Sequence, residues 1–516
     1  MGHEMTFRRA LGAALFCLAC VVAAPAWSQV PVSSAAELLG AMRAAKGGER
    51  IMLAPGDYGA LALNAKRDRW AQYGSQVSLI SADPARPASF SSVNLVGVEN
   101  IAFSGIAFNY AFALSDKVNV RPFSFRGVKQ VAIRDSRFVG SLASGTDTLA
   151  DGFGTGIGLA IEDSDSVVVE RNVFRLWHRG AVFHQSNNLT VRGNDVSEVR
   201  SDGMNFAQVE KVLIERNHFH DFSGQKGGTD HPDMIQFWTN LTKAPSVGIT
   251  IRDNILDRGA GTWTQSIFMR NEEVDHKRAG REMFYRDVTI TGNLIRNSHL
   301  HGITVGETDG LTIANNTLIQ AEASPRPLHV TVPGINLNPA SENVRVENNI
   351  MPRLTDFAGK LKDGWTIANN MRVQRNFPRA KDFYTNVFVD ALVEGAVPLQ
   401  KLQRLPPEAS GGQTDIGAAL TNFDPKPAAA TVIILSAPAP GEASANQRLD
   451  ASLVFGPAGK VDTAGASAVW DLGSGVSKTG MVVSYRFPGP GTYRVSVALT
   501  LANGSRLTGT RTLFVE

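Results

Sequence analysis

A chain of 516 residues with a formal net charge of only +3 and 43% hydrophobic residues has material for a large core and for more than one domain. Its basic residues are scattered, which excludes the electrostatic footprint of a nucleic-acid binder. The 49 glycines, the 8% aromatics and many Val-x-Ile pairs point to a β-rich protein with many tight turns.

Residues 1–28 read as a secretory signal peptide: Arg8 and Arg9 precede an apolar run from Ala10 to Ala24, and "APAWSQ" follows as the cleavage region. Cleavage after Ala26 or Ser28 and a periplasmic or secreted protein are expected. Both cysteines, Cys17 and Cys20, fall inside this segment, so the mature chain has no cysteine chemistry, and "CLAC" is a poor lipoprotein acceptor. No later run approaches the roughly 20 apolar residues of a membrane span. "SSAAELLGAMRAA" follows, with a Ser34 to Glu37 capping box and apolar residues at helical spacing.

The strongest signal is an internal repeat. "VAIRDSRF" (131–138), "VVVERNVF" (167–174), "LTVRGNDV" (189–196), "VLIERNHF" (212–219), "ITIRDNIL" (249–256), "VTITGNLI" (288–295), "LTIANNTL" (311–318), "VRVENNIM" (344–351) and "TIANNM" (366–371) share one line. The equivalent asparagines are Asn172, Asn194, Asn217, Asn254, Asn293, Asn316, Asn349 and Asn370, with shortest separations of 22, 23, 23 and 21 residues. Longer separations of 33 to 39 are the same unit carrying an inserted loop. A period near 22 built of short strands and turns, with no helical period, predicts a parallel β-solenoid.

The opening "GGERIMLAPGDYG" (47–59), the repeated rungs and the closing "TDIGA" (414–418) resemble the right-handed parallel β-helix, or pectin-lyase-like, superfamily over residues 29–425. The resemblance implies that the helix before the first rung plugs the N-terminal end, and that the asparagines form an internal ladder which satisfies turn backbone groups. It names no reaction, because this fold hosts lyases, epimerases, hydrolases, esterases and tailspikes.

The ladder sets a register, and the register aligns the strand across the coil. Phe183, Phe206, Phe237, Met269 and Val305 fall on one apolar line, and four residues before each stand Arg179, Asp202, Asp233, Gln265 and His301. One file of neighbouring rungs is therefore polar or ionisable throughout. Asn205 and Gln236 flank it on one line, and His184, Trp238 and Arg270 on another. The stretch "TDHPD" adds Asp230 and His231 beside Asp233, and inserted loops on both sides would form the walls of a groove.

Asp202 and Asp233 on adjacent rungs, about 5 Å apart, must share a proton, bind a cation or be held by Arg179. Elimination or C5-epimerisation of a uronate sugar needs the substrate carboxylate neutralised and a C5 proton moved. Arg179, Arg270, Asn205 and Gln236 suit the first task, and His231 or His301 the second. Ca²⁺ is the cofactor that could share it, through Asp202, Asp230 or Asp233. Hydrolysis would instead use Asp202 and Asp233 as acid and base. "SDG" (201–203) and "HGITVG" (301–306) are similar to pieces of the polygalacturonase pattern, although Pro232-Asp233 stands where a double Asp belongs and no Arg-x-Lys follows. Mannuronan epimerases carry Asp-Pro-His on a rung, where this chain has Asp230-His231-Pro232-Asp233.

A Pro/Ala-rich linker ends at 426–430, and residues 431–516 turn to short alternating strands. "VWDLGSG" (469–475) and "YRFPGPGTYRVSV" (485–497) resemble the PKD domain, with Trp470, Gly491, Tyr493 and Val495 carrying the match and Leu472 and Ser474 departing from it. That resemblance implies a spacer or glycan-contacting module. The whole reads as an all-β chain, a single-stranded right-handed parallel β-helix followed by a small immunoglobulin-like sandwich. It is expected to be an exported, monomeric enzyme on an acidic polysaccharide, a lyase or C5-epimerase before a hydrolase. A non-catalytic carbohydrate-binding or adhesion solenoid is the alternative from a different class.

Overall fold

A computed structural model describes residues 29–515 apart from 225–229, 322–327, 378–379, 381, 390–397, 411–415, 439–444 and 474. The expected signal peptide lies outside the described residues. Among them, no helix is long and apolar enough to cross a membrane.

The repeat folds as a coil whose turns contribute strands to three parallel sheets of 13, 11 and 11 strands. The line read from the sequence stacks in register: Val167, Leu189, Val212, Ile249, Val288, Leu311 and Val344 are successive partners in the 13-stranded sheet. Their side chains are buried because period-2 alternation sends every second residue of each strand into the coil. Aromatic rings continue the stacking inside, with Phe183 to Phe206 at 4.8 Å and Phe206 to Phe237 at 4.9 Å between ring centres.

The asparagines form the expected ladder. Asn217 Oδ1 accepts both the backbone N–H and the side-chain Nδ2–H of Asn194 at 2.9 Å, and its own Nδ2–H groups reach Val191 O and Asn254 Oδ1. The same pattern links Asn172 through to Asn370. The residue before each ladder position is left-handed, as at Arg171 (φ 53°), Gly193 (φ 62°) and Arg216 (φ 53°), a conformation that turns the chain sharply and strands its amides. Stacked Asn amides satisfy those groups, so the turn tolerates non-glycine residues there.

Helix α1 (Ala35–Ala44) covers the first rungs, burying Leu38 and Met42. Ser34 Oγ accepts the Glu37 N–H at 3.2 Å, but Glu37 returns its carboxylate to the N–H and Oγ of Ser33 rather than to Ser34. The capping box is thus shifted by one residue on its return arm. After the last coil strand, Met371–Arg372, the chain runs back outside the coil, where Phe388, Leu399, Leu402, Ile416 and Ala418 cluster with Leu294, Ile319 and Ile350. Of "TDIGA" only Ile416 to Ala418 are described, and they pack on this flank.

From Thr431 the strands become antiparallel and form two four-stranded sheets around Trp470, Leu472, Val495 and Val497. Trp470 is fully buried and donates its indole N–H to Gly480 O at 2.8 Å. Tyr493 OH bonds Gly489 O at 2.8 Å and braces the Pro-Gly turn.

Candidate active site

Seven neighbouring strands of one 11-stranded sheet carry the polar file: β1 (Arg179–His184), β2 (Met204–Ala207), β3 (Asp233–Phe237), β4 (Gln265–Met269), β5 (His301–Val305), β6 (Gly334–Leu337) and β7 (Arg353–Asp356). Their pairing places Phe183, Phe206, Phe237, Met269 and Val305 opposite one another, so the alignment made from the ladder holds across inserted loops. Of the segment between Met204–Ala207 and Asp233–Phe237 expected to supply one wall, His218–His220 is a strand of a different sheet, and Gln225 to Thr229 lie outside the described residues.

Glycine follows the file at three of these rungs because the backbones close in there. A Cβ on Gly180 would stand 2.4 Å from Gly203 O, and one on Gly203 would stand 2.5 Å from Met234 O. This tightness brings the carboxylates together. Arg179 Nε lies 3.0 Å from Asp202 Oδ2, and Asn205 Nδ2 donates to the same oxygen at 3.1 Å. The Asp233 N–H points at Asp202 Oδ1 at 3.3 Å, while Gln236 Nε2 donates to Asp233 Oδ2 at 2.7 Å. Asn205 and Gln236 are bonded to each other, which joins the two rungs into one network.

Burial decides the charges. Asp233 has no exposed surface and Asp202 is 2% exposed. Desolvation, then the neighbouring Asp202, pushes the Asp233 carboxyl well above the usual range. Burial also raises Asp202, and Arg179 and Asn205 work against that rise. Of the three arrangements open from the sequence, the structure shows Arg179 holding Asp202 beside Asp233.

At the other end of the file His301 is half-buried, its Nδ1 2.7 Å from Thr304 Oγ1. Burial, helped by His299 and Arg353, pulls its pKa down to about 3, so the ring is neutral at neutral pH. Thr304 also accepts Asn336 Nδ2–H at 3.2 Å, and Asn336 Oδ1 accepts Arg353 Nη2–H at 3.2 Å. Arg353 is the file residue two rungs beyond His301, through Gly334. Sequence reasoning missed it, because the register shifts between His301 and Ile303 on the way to β6, so that four residues before Leu337 and Asp356 stand Pro333 and Pro352 rather than Arg353.

The remaining candidates divide. His184 and Trp238 stack with ring centres 6.0 Å apart on the line beside the file. Arg270 pairs with Asp275 at 2.8 Å, and His231 is exposed. Asp230 is held by Arg200 Nε at 2.8 Å and lies 3.5 Å from His178 Nε2, two buried partners absent from the sequence reading. Asp202 and Asp230 each face a guanidinium and Asp233 Oδ2 already accepts from Gln236, so this donor set does not fit Ca²⁺, which takes six to eight oxygens.

Along this region buried polar atoms lack a hydrogen-bond partner among the described residues: His178 Nδ1, Arg179 Nε (beside its ion-pair partner Asp202), Asn205 Oδ1, Asp233 Oδ1, Gln265 Oε1 and Arg353 Nε. In folded proteins such groups are rare and each calls for an explanation.

Residues 123–273 match the family model for a right handed beta helix region, and residues 434–514 match that for a PKD domain. No curated protein sequence matches the chain. Among solved structures, the chain is similar to the Streptococcus pneumoniae surface protein and adhesin PfbA, at 14% identity over 65% of this chain and 91% of that one, with a TM-score of 0.41. It is also similar to the A-module of the Azotobacter vinelandii mannuronan C-5 epimerase AlgE4, at 12% identity over 66% and 96% with a TM-score of 0.36. A hyperthermoactive exopolygalacturonase from Thermotoga maritima gives 11% identity over 62% and 84%, with a TM-score of 0.34. Likenesses this distant carry no argument about chemistry. With its three parallel sheets and the two family matches, the chain is a right-handed parallel β-helix protein with a C-terminal PKD domain.

Proposed function

We propose that this chain is an exported enzyme acting on a uronate-containing polysaccharide by moving the C5 proton, as a lyase or an epimerase. The observation that carries the reading is the run of unpaired buried polar atoms along one file, from Asn205 and Asp233 through Gln265 to Arg353. A polar chain laid across the rungs would supply what these atoms lack.

Arg353, with an unpaired Nε, is the group to meet the uronate carboxylate, and the neutral His301 beside it is the group to take or return the proton. A ring with so low a pKa is a weak base alone. A bound carboxylate would raise it toward the working range by the Coulomb effect that Arg353 now exerts in the opposite sense. Arg179 holds Asp202 beside the buried Asp233, and the stacked His184 and Trp238 offer flat faces to a sugar ring. Hydrolysis needs two carboxyl groups flanking an accessible bond, roughly 5 to 9.5 Å apart. Asp202 is already held by Arg179 and Asn205, which speaks against that use.

The test is a panel of uronate and neutral polysaccharides, followed by absorbance of unsaturated uronate, by reducing ends and by NMR of C5 configuration. Absorbance, or inverted C5 centres without cleavage, is expected. Reducing ends without absorbance would replace the reading with hydrolysis, and tight binding without any change would replace it with a carbohydrate-binding solenoid.

A further inference from the structure

A second cluster lies on a different sheet, away from the file. Asp195 pairs with His218 and Ser197 with His220 on adjacent rungs, and two histidines at i and i+2 project to one face of their strand. His218 Nδ1 stands 3.4 Å from Asp195 Oδ2, and His220 Nε2 stands 3.2 Å from the same oxygen. One ligand atom from each of the three residues lies within 4.8 Å of the others. The two histidines border a cavity of about 660 Å³, also lined by Asp221, Arg258, Arg296 and Gln400.

We propose that Asp195, His218 and His220 form a site for one divalent transition-metal ion, with Zn²⁺ the ion its donor set suits, and a remaining coordination position facing the cavity.

Three observations carry this. The first is spacing. A tetrahedral ion with bonds of about 2.0–2.1 Å separates its ligand atoms by about 3.4 Å, which is where the two imidazole–Asp195 contacts lie. Charge-assisted hydrogen bonds are shorter, about 2.7–2.9 Å, and the cluster contains a short contact for comparison: His220 Nδ1 to Asp221 Oδ2 at 2.6 Å.

The second is orientation. Asp221 accepts the Nδ1–H of His220, which leaves the Nε2 lone pair directed at Asp195 and the ion, the carboxylate–histidine–metal relation that fixes a ligating ring. Asp221 is itself held, its Oδ1 accepting the Ala260 N–H at 2.6 Å. The side-chain amide of Gln400 lies 3.2 Å from His218 Nε2, and with its oxygen turned inward it accepts Nε2–H and frees Nδ1 for the ion.

The third is the ring stack. His218 and His220 lie 4.1 Å apart, nearly parallel. Stacked in this way, both rings present a nitrogen to the same Asp195 oxygen. Backbone pairing holds all three ligands on strands, so the spacing is set before the ion arrives.

The full-length protein, stripped with EDTA and desalted, is titrated with Zn²⁺ by calorimetry and with Co²⁺ by visible absorption. One site per chain, a Co²⁺ d–d spectrum of low coordination number and a Zn²⁺-dependent rise in Tm are expected. Asp195→Asn and His220→Gln abolish all three, Asp221→Asn weakens affinity about 10- to 100-fold, and His276→Gln, an exposed histidine elsewhere, changes nothing. Apo Tm and circular dichroism check that each variant folds; should His220→Gln misfold, the isosteric Asp195→Asn decides. No saturable binding by wild type, or unchanged binding in folded Asp195→Asn, overturns the proposal.

Discussion

At the asparagine turn every rung treats its polar atoms alike: Asn217 accepts twice, donates twice and leaves nothing unpaired. The strand mouths of the site sheet are built from the same repeat at the same spacing, yet Asp233 Oδ1, Gln265 Oε1 and Arg353 Nε are buried there without partners. The first turn repeats one residue type, so each amide serves its neighbour. The second changes residue at every rung, from Arg179 through Asp202, Asp233 and Gln265 to His301, and among the described residues only the Arg179–Asp202 ion pair joins one file side chain to the next. A solenoid can thus use one turn for stability and leave another unsatisfied for a ligand, because each rung contacts only its neighbours.

The largest expected effect separates the two regions by activity. His301→Gln lowers turnover by roughly a hundredfold or more with little change in Tm, as loss of a general acid or base does. Asp233→Asn keeps shape, so a purely structural Asp233 would leave turnover intact; on the present reading turnover collapses while Tm holds or rises. Activity and melting on both variants check this, and two fully active variants would return the file to a structural role.

The next effect lies on the ladder. Asn217→Ala removes partners from two buried N–H donors, a carbonyl and Asn254 Oδ1, and each buried group left unpaired costs about 1–3 kcal/mol. A fall of at least about 3 kcal/mol in unfolding free energy is expected, with the surviving folded protein still active.

Acid should affect the site end more than the ladder, which contains no titratable group. Burial pulls His178 down to about 4 and His301 to about 3, both below the unfolded value near 6.5. Between those values the unfolded chain binds more protons, so stability is full above about pH 6.5 and declines as pH falls toward 4. Asp233, raised instead, opposes this trend, since its contribution is lost as pH rises through its folded value. Melting curves from pH 8 to 4 should slope downward, and His178→Gln should flatten the slope.

Two smaller effects sharpen the boundaries. Removing residues 431–516 should leave the coil folded and active but uncovers Val389 and Leu405, which pack with Ile433, Leu453 and Phe455, and Phe423, whose ring lies 4.7 Å from that of Phe455. A drop of a few degrees in Tm is expected, and loss of all turnover would make the tail part of the catalytic body. Chelating Ca²⁺ with EGTA should leave turnover unchanged, because guanidinium groups already occupy Asp202 and Asp230.

How much was legible follows from the range of each signal. The strand line and the ladder positions repeat in the chain, and parallel stacking makes equal spacing in sequence equal register in space; Arg179, Asp202, Asp233, Gln265 and His301 could therefore be aligned before any coordinates. Whether a file residue is charged, neutral, paired or unpaired depends on atoms contributed by other rungs and by inserted loops, which no local pattern encodes. Tertiary packing alone buried Asp233, turned Asp230 to Arg200 and His178, brought Arg353 to the end of the file and carried Gln400 back to His218. Desolvation is the physical reason: it depends on everything that surrounds a group, whereas register depends only on the count of residues between one turn and the next.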